Sequence, residues 1–215
     1  MGMSVSSNGK QLASVGQDGQ LALWDFSDGQ LQHRTEIASG WVEHVAWSKS
    51  GSHLAVSSGR VVTILSSFGK KIWSSENHPS TVSAMEWVTD QELSTACYGR
   101  VTFFNTSSGK ENERLQWQGS LVSLALSPDG NVVACGSQDK SVHFWRRSNG
   151  QDSMMSGYPW KPSELAFSHD SILLATGGGE DITVWSFEGN GPEYNTGGIR
   201  VSQGTNKLTC ILTSS

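Results

Sequence analysis

Along this chain, apolar and small residues alternate over runs of five to seven, broken by Gly, Asn, Asp and Ser. The clearest stretch lies between residues 122 and 150. Val122 to Ser127 alternates, which predicts a half-buried strand. Pro128-Asp129-Gly130-Asn131 predicts a turn, with Pro where its fixed dihedral is favoured. Val132 to Gly136 reads as a short buried strand, and Ser137-Gln138-Asp139-Lys140 as a second turn. Ser141 to Arg146 reads as a third strand, with Val142, Phe144 and Arg146 on one face and His143 and Trp145 on the other. Ser148-Asn149-Gly150 closes a third turn, and a weaker fourth segment follows. Four such strands form a meander that cannot bury both of its faces alone, so neighbouring units must stack.

The pattern restarts about every forty residues. Leu12-Ala13-Ser14, Leu54-Ala55-Val56, Leu93-Ser94-Thr95, Val133-Ala134-Cys135 and Leu174-Ala175-Thr176 recur at intervals of 42, 39, 40 and 41. A second phrase follows each: Leu23-Trp24-Asp25, Ile64-Leu65-Ser66, Phe103-Phe104-Asn105, Phe144-Trp145-Arg146 and Val184-Trp185-Ser186. Two markers in register define a repeat of propeller or array length.

The run from Leu121 to Trp145 resembles a WD40 repeat, and the first unit supplies Trp24-Asp25. The resemblance covers residues 4 to 190 and implies an all-β, WD40-like β-propeller of four-stranded blades. The stretch Leu173 to Trp185, with Gly191-Pro192-Glu193, also resembles WD-repeat proteins of photosynthetic organisms. In the family, a His–Ser/Thr–Asp–Trp hydrogen-bond network often braces a blade. The Asp slot here holds Asp18, Gly59, Tyr98, Asp139 and Gly179, and the His slot holds Ala38, His78, Trp117 and Tyr158. No unit keeps all four residues. Half-satisfied buried networks are costly, so these blades are expected to rely on apolar packing, with Asp18 and Asp139 bonding to local turn amides.

The repeats define a propeller domain over residues 1–194, in units of approximately 1–37, 38–77, 78–116, 117–157 and 158–194. Residues 195–215 read as an atypical tail or partial blade, with Gly197-Gly198 and a weak strand pattern over Lys207 to Leu212. About five blades are visible where the family usually has seven. The leading expectation is an incomplete or truncated propeller; a five-blade ring completed by terminal strands is the alternative. Open sheet edges would invite association with other chains.

Composition narrows the function. The chain is 36% hydrophobic and 16% charged, with 24 Gly and five Pro, which suits short strands and tight turns. The net charge is −5, and the longest basic runs are Lys70-Lys71 and Arg146-Arg147, so no nucleic-acid partner is expected. Met1 to Lys10 has no apolar core for a signal peptide, and no apolar run is long enough to span a bilayer, so no membrane partner is expected. Cys97, Cys135 and Cys210 follow no metal or disulfide spacing and fit a reducing compartment, cytoplasm or nucleus.

No catalytic constellation, cofactor motif or metal-ligand spacing is present in the sequence, and no cofactor is expected. The Gly177-Gly178-Gly179 run lacks the ending of a phosphate loop and reads as a hairpin turn beside exposed Glu180-Asp181. The candidate partner-binding residues are Trp41, Arg60, Tyr98, Arg100, Trp117, Tyr158 and Trp160, at blade connections that WD40-like blades place on one rim. Trp, Tyr and Arg are the commonest interface hot spots. Tyr98, Trp117 and Tyr158 also sit in slots that the family buries, so space filling is their competing reading. The resemblance therefore implies a non-catalytic scaffold that binds other proteins by a peptide or domain on that rim. The alternatives are an enzyme or ligand-binding propeller with a central-channel site, or a truncated product without independent activity.

Overall fold

The chain is described by a computed structural model, in which residues 2–189, Pro192 and the backbone of Ile199–Ser202 are placed. Every regular element among them is a β-strand. The chain divides into two compact units, residues 1–117 and 118–215.

The first unit begins with an antiparallel sheet of β1 (Gly2–Val5), β2 (Gln11–Val15), β3 (Gln20–Asp25) and β4 (Leu31–Glu36), paired in chain order. A second sheet repeats the plan with β5 (His44–Trp47), β6 (His53–Ser58), β7 (Val61–Ser66) and β8 (Lys71–Ser74). The third holds β9 (Ala84–Thr89), β10 (Glu92–Asn105) and β11 (Glu111–Ser120). β10 is two limbs of a hairpin. Thr95 Oγ1 lies 3.4 Å from the Thr102 carbonyl, whereas seven residues of straight strand would span about 23 Å. The reversal falls at Gly99, whose φ of 83° is open to glycine at no steric cost.

In the second unit, β12 (Ala125–Leu126), β13 (Val132–Gly136), β14 (Val142–Arg146) and β15 (Gln151–Met155) form one meander. Another consists of β16 (Glu164–Phe167), β17 (Leu173–Gly177), β18 (Asp181–Ser186) and β19 (Ile199–Ser202). β12 is shorter than its alternating pattern predicts: only Ala125 and Leu126 pair with β13, and Leu121 makes an isolated bridge to Ser137. β19 falls within the stretch expected as tail or partial blade. Gly197-Gly198, the strand pattern at Lys207 to Leu212 and Cys210 lie outside the described residues.

The first turn of most units is set by a Ser-x-x-Gly phrase. Gly9, Gly51 and Gly130 donate their N–H to the carbonyls of Ser6, Ser48 and Ser127 at 2.9, 2.9 and 2.7 Å, each with positive φ. Ser171 takes the same place at φ 64°, a conformation that costs a non-glycine residue energy.

Alternation builds the core. Ala13, Val15, Leu21 and Leu23 pack against Val42, Val45, Trp47, Leu54, Val56 and Leu65. Ala55, Val62 and Ile64 pack against Val82, Trp87 and Leu93. In the second unit Val132, Ala134, Val142 and Phe144 meet Leu174, Trp185 and Phe187. Two successive junctions also share one polar contact. The Trp47 indole N–H donates to the Ser4 carbonyl, and that of Trp87 to the Ala46 carbonyl, both at 3.1 Å.

Candidate functional site

In the first unit, the link into β5, the β6–β7 turn, the link into β9 and the β10 hairpin are tied by hydrogen bonds into one ribbon. Ser58 Oγ donates to the Trp41 carbonyl at 2.7 Å, and the Gly59 N–H to Glu43 Oε2 at 3.0 Å. The His78 N–H reaches the Arg60 carbonyl at 2.8 Å, and Arg60 Nε donates back to the His78 carbonyl at 2.5 Å. The Tyr98 N–H donates to Ser80 Oγ at 2.8 Å. Trp41 and Tyr98 project from this ribbon, 62% and 56% exposed. Arg60 is exposed and Arg100 half-buried. Arg100 Nε is screened from solvent and makes no hydrogen bond among the described residues. Trp117 is half-buried, its carbonyl beside the Gly99 α-carbon.

His78 anchors the ribbon from beneath and is fully buried. Its Nδ1 lies 2.9 Å from the Arg60 carbonyl and its Nε2 3.0 Å from Thr95 Oγ1. A carbonyl only accepts, so Nδ1 carries the proton. In the neutral ring Nε2 then accepts from the Thr95 hydroxyl. Burial holds the His78 pKa below its ordinary value, with Arg100 and Arg60 adding to the effect and the bond to the Arg60 carbonyl opposing it. Burial also pushes the Cys97 thiol up, partly offset by Arg100.

In the second unit, Trp160 is 52% exposed, and its indole lies against the Gly179 α-carbon in a groove lined by Tyr158, Pro159, Pro162 and Asp181. A Cβ at Gly179 would collide with that indole, and one at Gly178 with the Lys161 carbonyl. The glycine run is therefore fixed by close approach of the 159–163 link as well as by the hairpin. Tyr158 is half-buried, with its hydroxyl 2.9 Å from Thr176 Oγ1 and accepting the Trp185 indole N–H at 2.6 Å. Its side chain fills the family's network slot, so its hydroxyl is committed inward.

Polar braces are thus more complete than the expected apolar packing. Trp24 Nε1 donates to Ser14 Oγ at 2.8 Å in the first sheet, His78 joins Thr95 in the third, and Tyr158, Thr176 and Trp185 join in the fifth. The second sheet has Val56 and Leu65 at these positions, both fully buried. The signal missed was the third residue of the first phrase, a hydroxyl in Ser14, Thr95 and Thr176. Asp18 and Asp139 bond locally as expected, accepting the Gln20 and Ser141 N–H groups at 3.3 and 3.1 Å.

Among the described residues, no group of three or more His, Cys, Asp or Glu comes together that could hold a metal ion. No helix there is long and apolar enough to cross a membrane.

The WD domain, G-beta repeat family model matches residues 1–25 and 112–146. The chain is similar to meiotic fizzy-related protein 1 of Schizosaccharomyces pombe, 28% identical over 148 residues, covering 65% of this chain and 35% of that protein. It is similar to actin-interacting protein 1 of Caenorhabditis elegans, 26% identical over 199 residues, covering 87% of this chain and 32% of that protein. It is also similar to cell division cycle 20.1, cofactor of APC complex, of Arabidopsis thaliana, 26% identical over 183 residues, covering 78% and 40%. These relatives come from a yeast, an animal and a plant, and do not single out photosynthetic organisms. The chain spans about a third of the length of the curated relatives it matches. With its recurring strand meanders and its two phrases in register, the chain carries WD40-like repeats, matched by that family model over residues 1–25 and 112–146.

Proposed function

We propose that this chain is a non-catalytic platform that binds a partner protein on the rim of its first unit, through Trp41, Arg60, Tyr98 and Arg100. The observation that carries this reading is the pair of outward aromatic side chains, Trp41 and Tyr98, held on one hydrogen-bonded ribbon with two arginines. Rigid aromatics supply contact area at low entropy cost, and a guanidinium suits a peptide carbonyl or carboxylate. Relatives whose names describe a complex cofactor and an interacting protein support a protein partner. Trp160 offers a separate exposed aromatic on the second unit, where the Tyr158 hydroxyl is committed to Thr176 and Trp185; Trp117 is half-buried. Cys97 and Cys135, both buried and in no disulfide among the described residues, support a reducing compartment, cytoplasm or nucleus.

Selection of displayed peptides on the immobilised chain tests this. Selected peptides should lose at least tenfold in affinity on Trp41→Ala and Arg100→Ala chains whose melting temperature is unchanged. Peptides that bind all three chains equally would exclude this rim.

A further inference from the structure

Charge is spread unevenly over the repeats. Residues 44–75, which build the second sheet, hold Lys49, Arg60, Lys70 and Lys71 and no Asp or Glu. Residues 1–43 and 76–117, which build the first and third sheets, each sum to −3. The second sheet packs against the first through Leu54 and Leu65 and against the third through Val62 and Ile64. A strip of charge +4, one sheet wide, therefore lies between two acidic neighbours within the first unit.

The four cations divide between the two ends of the sheet. Arg60 stands in the β6–β7 turn, on the rim described above. Lys49, Lys70 and Lys71 stand at the opposite end, in the β5–β6 turn, the β7–β8 turn and the first position of β8. The Ser67 N–H ties these two turns together, donating to the Ser52 carbonyl at 3.0 Å. All three lysines are exposed, and none forms an ion pair among the described residues. Carboxylates of the neighbouring sheets are engaged by backbone: Asp90 Oδ1 accepts the Ser50 N–H at 2.8 Å, and Asp28 Oδ1 the Gln30 N–H at 2.9 Å.

The same end carries the most exposed large apolar side chain among the described residues, Phe68, at 77%. Phe68 precedes Gly69 at the tip of the β7–β8 turn. The residues before Gly29, Gly109 and Gly150 in the equivalent turns are Asp28, Ser108 and Asn149, all polar. The turn itself is fixed. The Gly69 N–H donates to the Ser66 carbonyl at 2.9 Å and the Lys70 N–H to Ser66 Oγ at 3.2 Å. Gly69 also sits against β4, so close that a Cβ there would stand 2.8 Å from the His33 ring. Ile72 of β8 and Leu31 of β4, each 46% exposed, add apolar surface at this end. An apolar centre with a charged border is the composition of a protein-binding surface.

We propose that this end of the second sheet docks an acidic segment of a partner protein. Phe68 and Ile72 take an apolar side chain of that segment, and Lys49, Lys70 and Lys71 take its carboxylates. The width of the strip selects this occupant. A nucleic-acid backbone or an anionic membrane would extend over the acidic sheets on either side, where like charges repel it. A short segment with a few carboxylates around one apolar anchor stays within the strip. The surface lies at the opposite end of the sheet from the Trp41 rim, so both can be occupied at once.

Selection of randomised displayed peptides on the Trp41→Ala chain, in which the rim is impaired, tests this. Enriched peptides should carry Asp or Glu around an aromatic or aliphatic residue. Their affinity should fall about tenfold or more on Phe68→Asn and on the Lys70→Glu, Lys71→Glu double variant, and should weaken with added salt. Arg100→Ala should leave it unchanged, which separates this surface from the rim. All these sites but Arg100 are exposed, and circular dichroism verifies folding; Phe68→Ser replaces Phe68→Asn if that variant unfolds. Enrichment without acidic residues would overturn the proposal, as would affinities indifferent to both the Phe68 and the lysine substitutions. So would anionic phospholipid vesicles that bind the chain more tightly than the selected peptides, or a self-associated species that Phe68→Asn dissolves, because the occupant would then be a membrane or a second copy.

Discussion

Thr176→Val tests the energetic role of the fifth-sheet brace. The direction of each hydrogen bond follows from chemistry. An indole N–H only donates and a carbonyl only accepts, so the order is Trp185 N–H to Tyr158 O–H, Tyr158 O–H to Thr176 Oγ1, and Thr176 O–H to the Thr183 carbonyl. The distances are 2.6, 2.9 and 3.1 Å. Burial pushes the Tyr158 pKa up to about 12, opposed by its bonds to Thr176 and Trp185, so the phenol remains a donor at ordinary pH. Valine keeps the volume of threonine but removes two links and strands the Tyr158 proton. A typical hydrogen bond contributes about 1 kcal/mol and a stranded buried donor costs about 1–3 kcal/mol, so the loss should be about 2–3 kcal/mol. Tyr158→Phe should cost less, about 1 kcal/mol, because the Trp185 N–H falls back on Thr176 Oγ1 at 3.2 Å. In the double variant the stranded phenol is gone but the Trp185 N–H loses both of its acceptors, so the two effects oppose each other and the cost should lie near the sum of the single costs. Urea titration followed by tryptophan fluorescence and circular dichroism measures all three. A Thr176→Val cost below about 0.5 kcal/mol, or one no larger than that of Tyr158→Phe, would refute the relay.

Further outcomes follow from the same geometry. His44, His78 and His143 are each held below the ordinary value of 6.5 mainly by burial, with nearby Glu43 opposing it for His44 and Asp152 for His143. The unfolded chain therefore takes up protons first as the pH falls below 6.5. Their contribution to stability is present above that pH and lost below it, so the urea midpoint should drop between pH 7 and pH 5, and less so in His78→Gln. A midpoint that is flat or rises over this range would contradict the burial of neutral imidazoles. Spectrophotometric alkaline titration should show a tyrosine ionising near pH 12, absent from Tyr158→Phe; an unchanged curve would contradict its burial. Gly179→Ala drives a methyl into the Trp160 indole, so tryptophan emission should shift to the red; an unshifted spectrum would contradict the contact.

Much of this architecture can be read along the chain because it is periodic. Alternation places Val142 and Phe144 on one face of β14 and His143 and Trp145 on the other, as packing requires: the first pair joins the core with Leu174, and the rings of the second lie 4.3 Å apart. Turns are legible where a backbone angle demands glycine, as at Gly130, and less so at Ser171, where serine accepts the same conformation. The braces were obscured because chemically unlike side chains fill one slot. Tyr158 reaches with a phenol where His78 uses an imidazole, and the family pattern names only the latter. β12 is also shorter than its local pattern, pairing with β13 only at Ala125 and Leu126. The hydrogen-bonded ribbon is invisible in sequence because backbone carbonyls of Trp41, Arg60 and His78 hold it together, and these carry no residue signature. Gly178 and Gly179 likewise answer to the distant Lys161 carbonyl and Trp160 ring, contacts that local reading cannot supply.

The most direct test of the central claim is the affinity of a selected peptide for the chain and for Trp41→Ala, Tyr98→Ala and Arg100→Ala, measured by calorimetry beside each melting temperature. The account predicts at least a tenfold loss in each variant with no change in melting temperature, because Trp41 and Tyr98 are exposed and Arg100 stands beside Tyr98 on the same hairpin. Unchanged affinity in all three variants, with the fold intact, would contradict it.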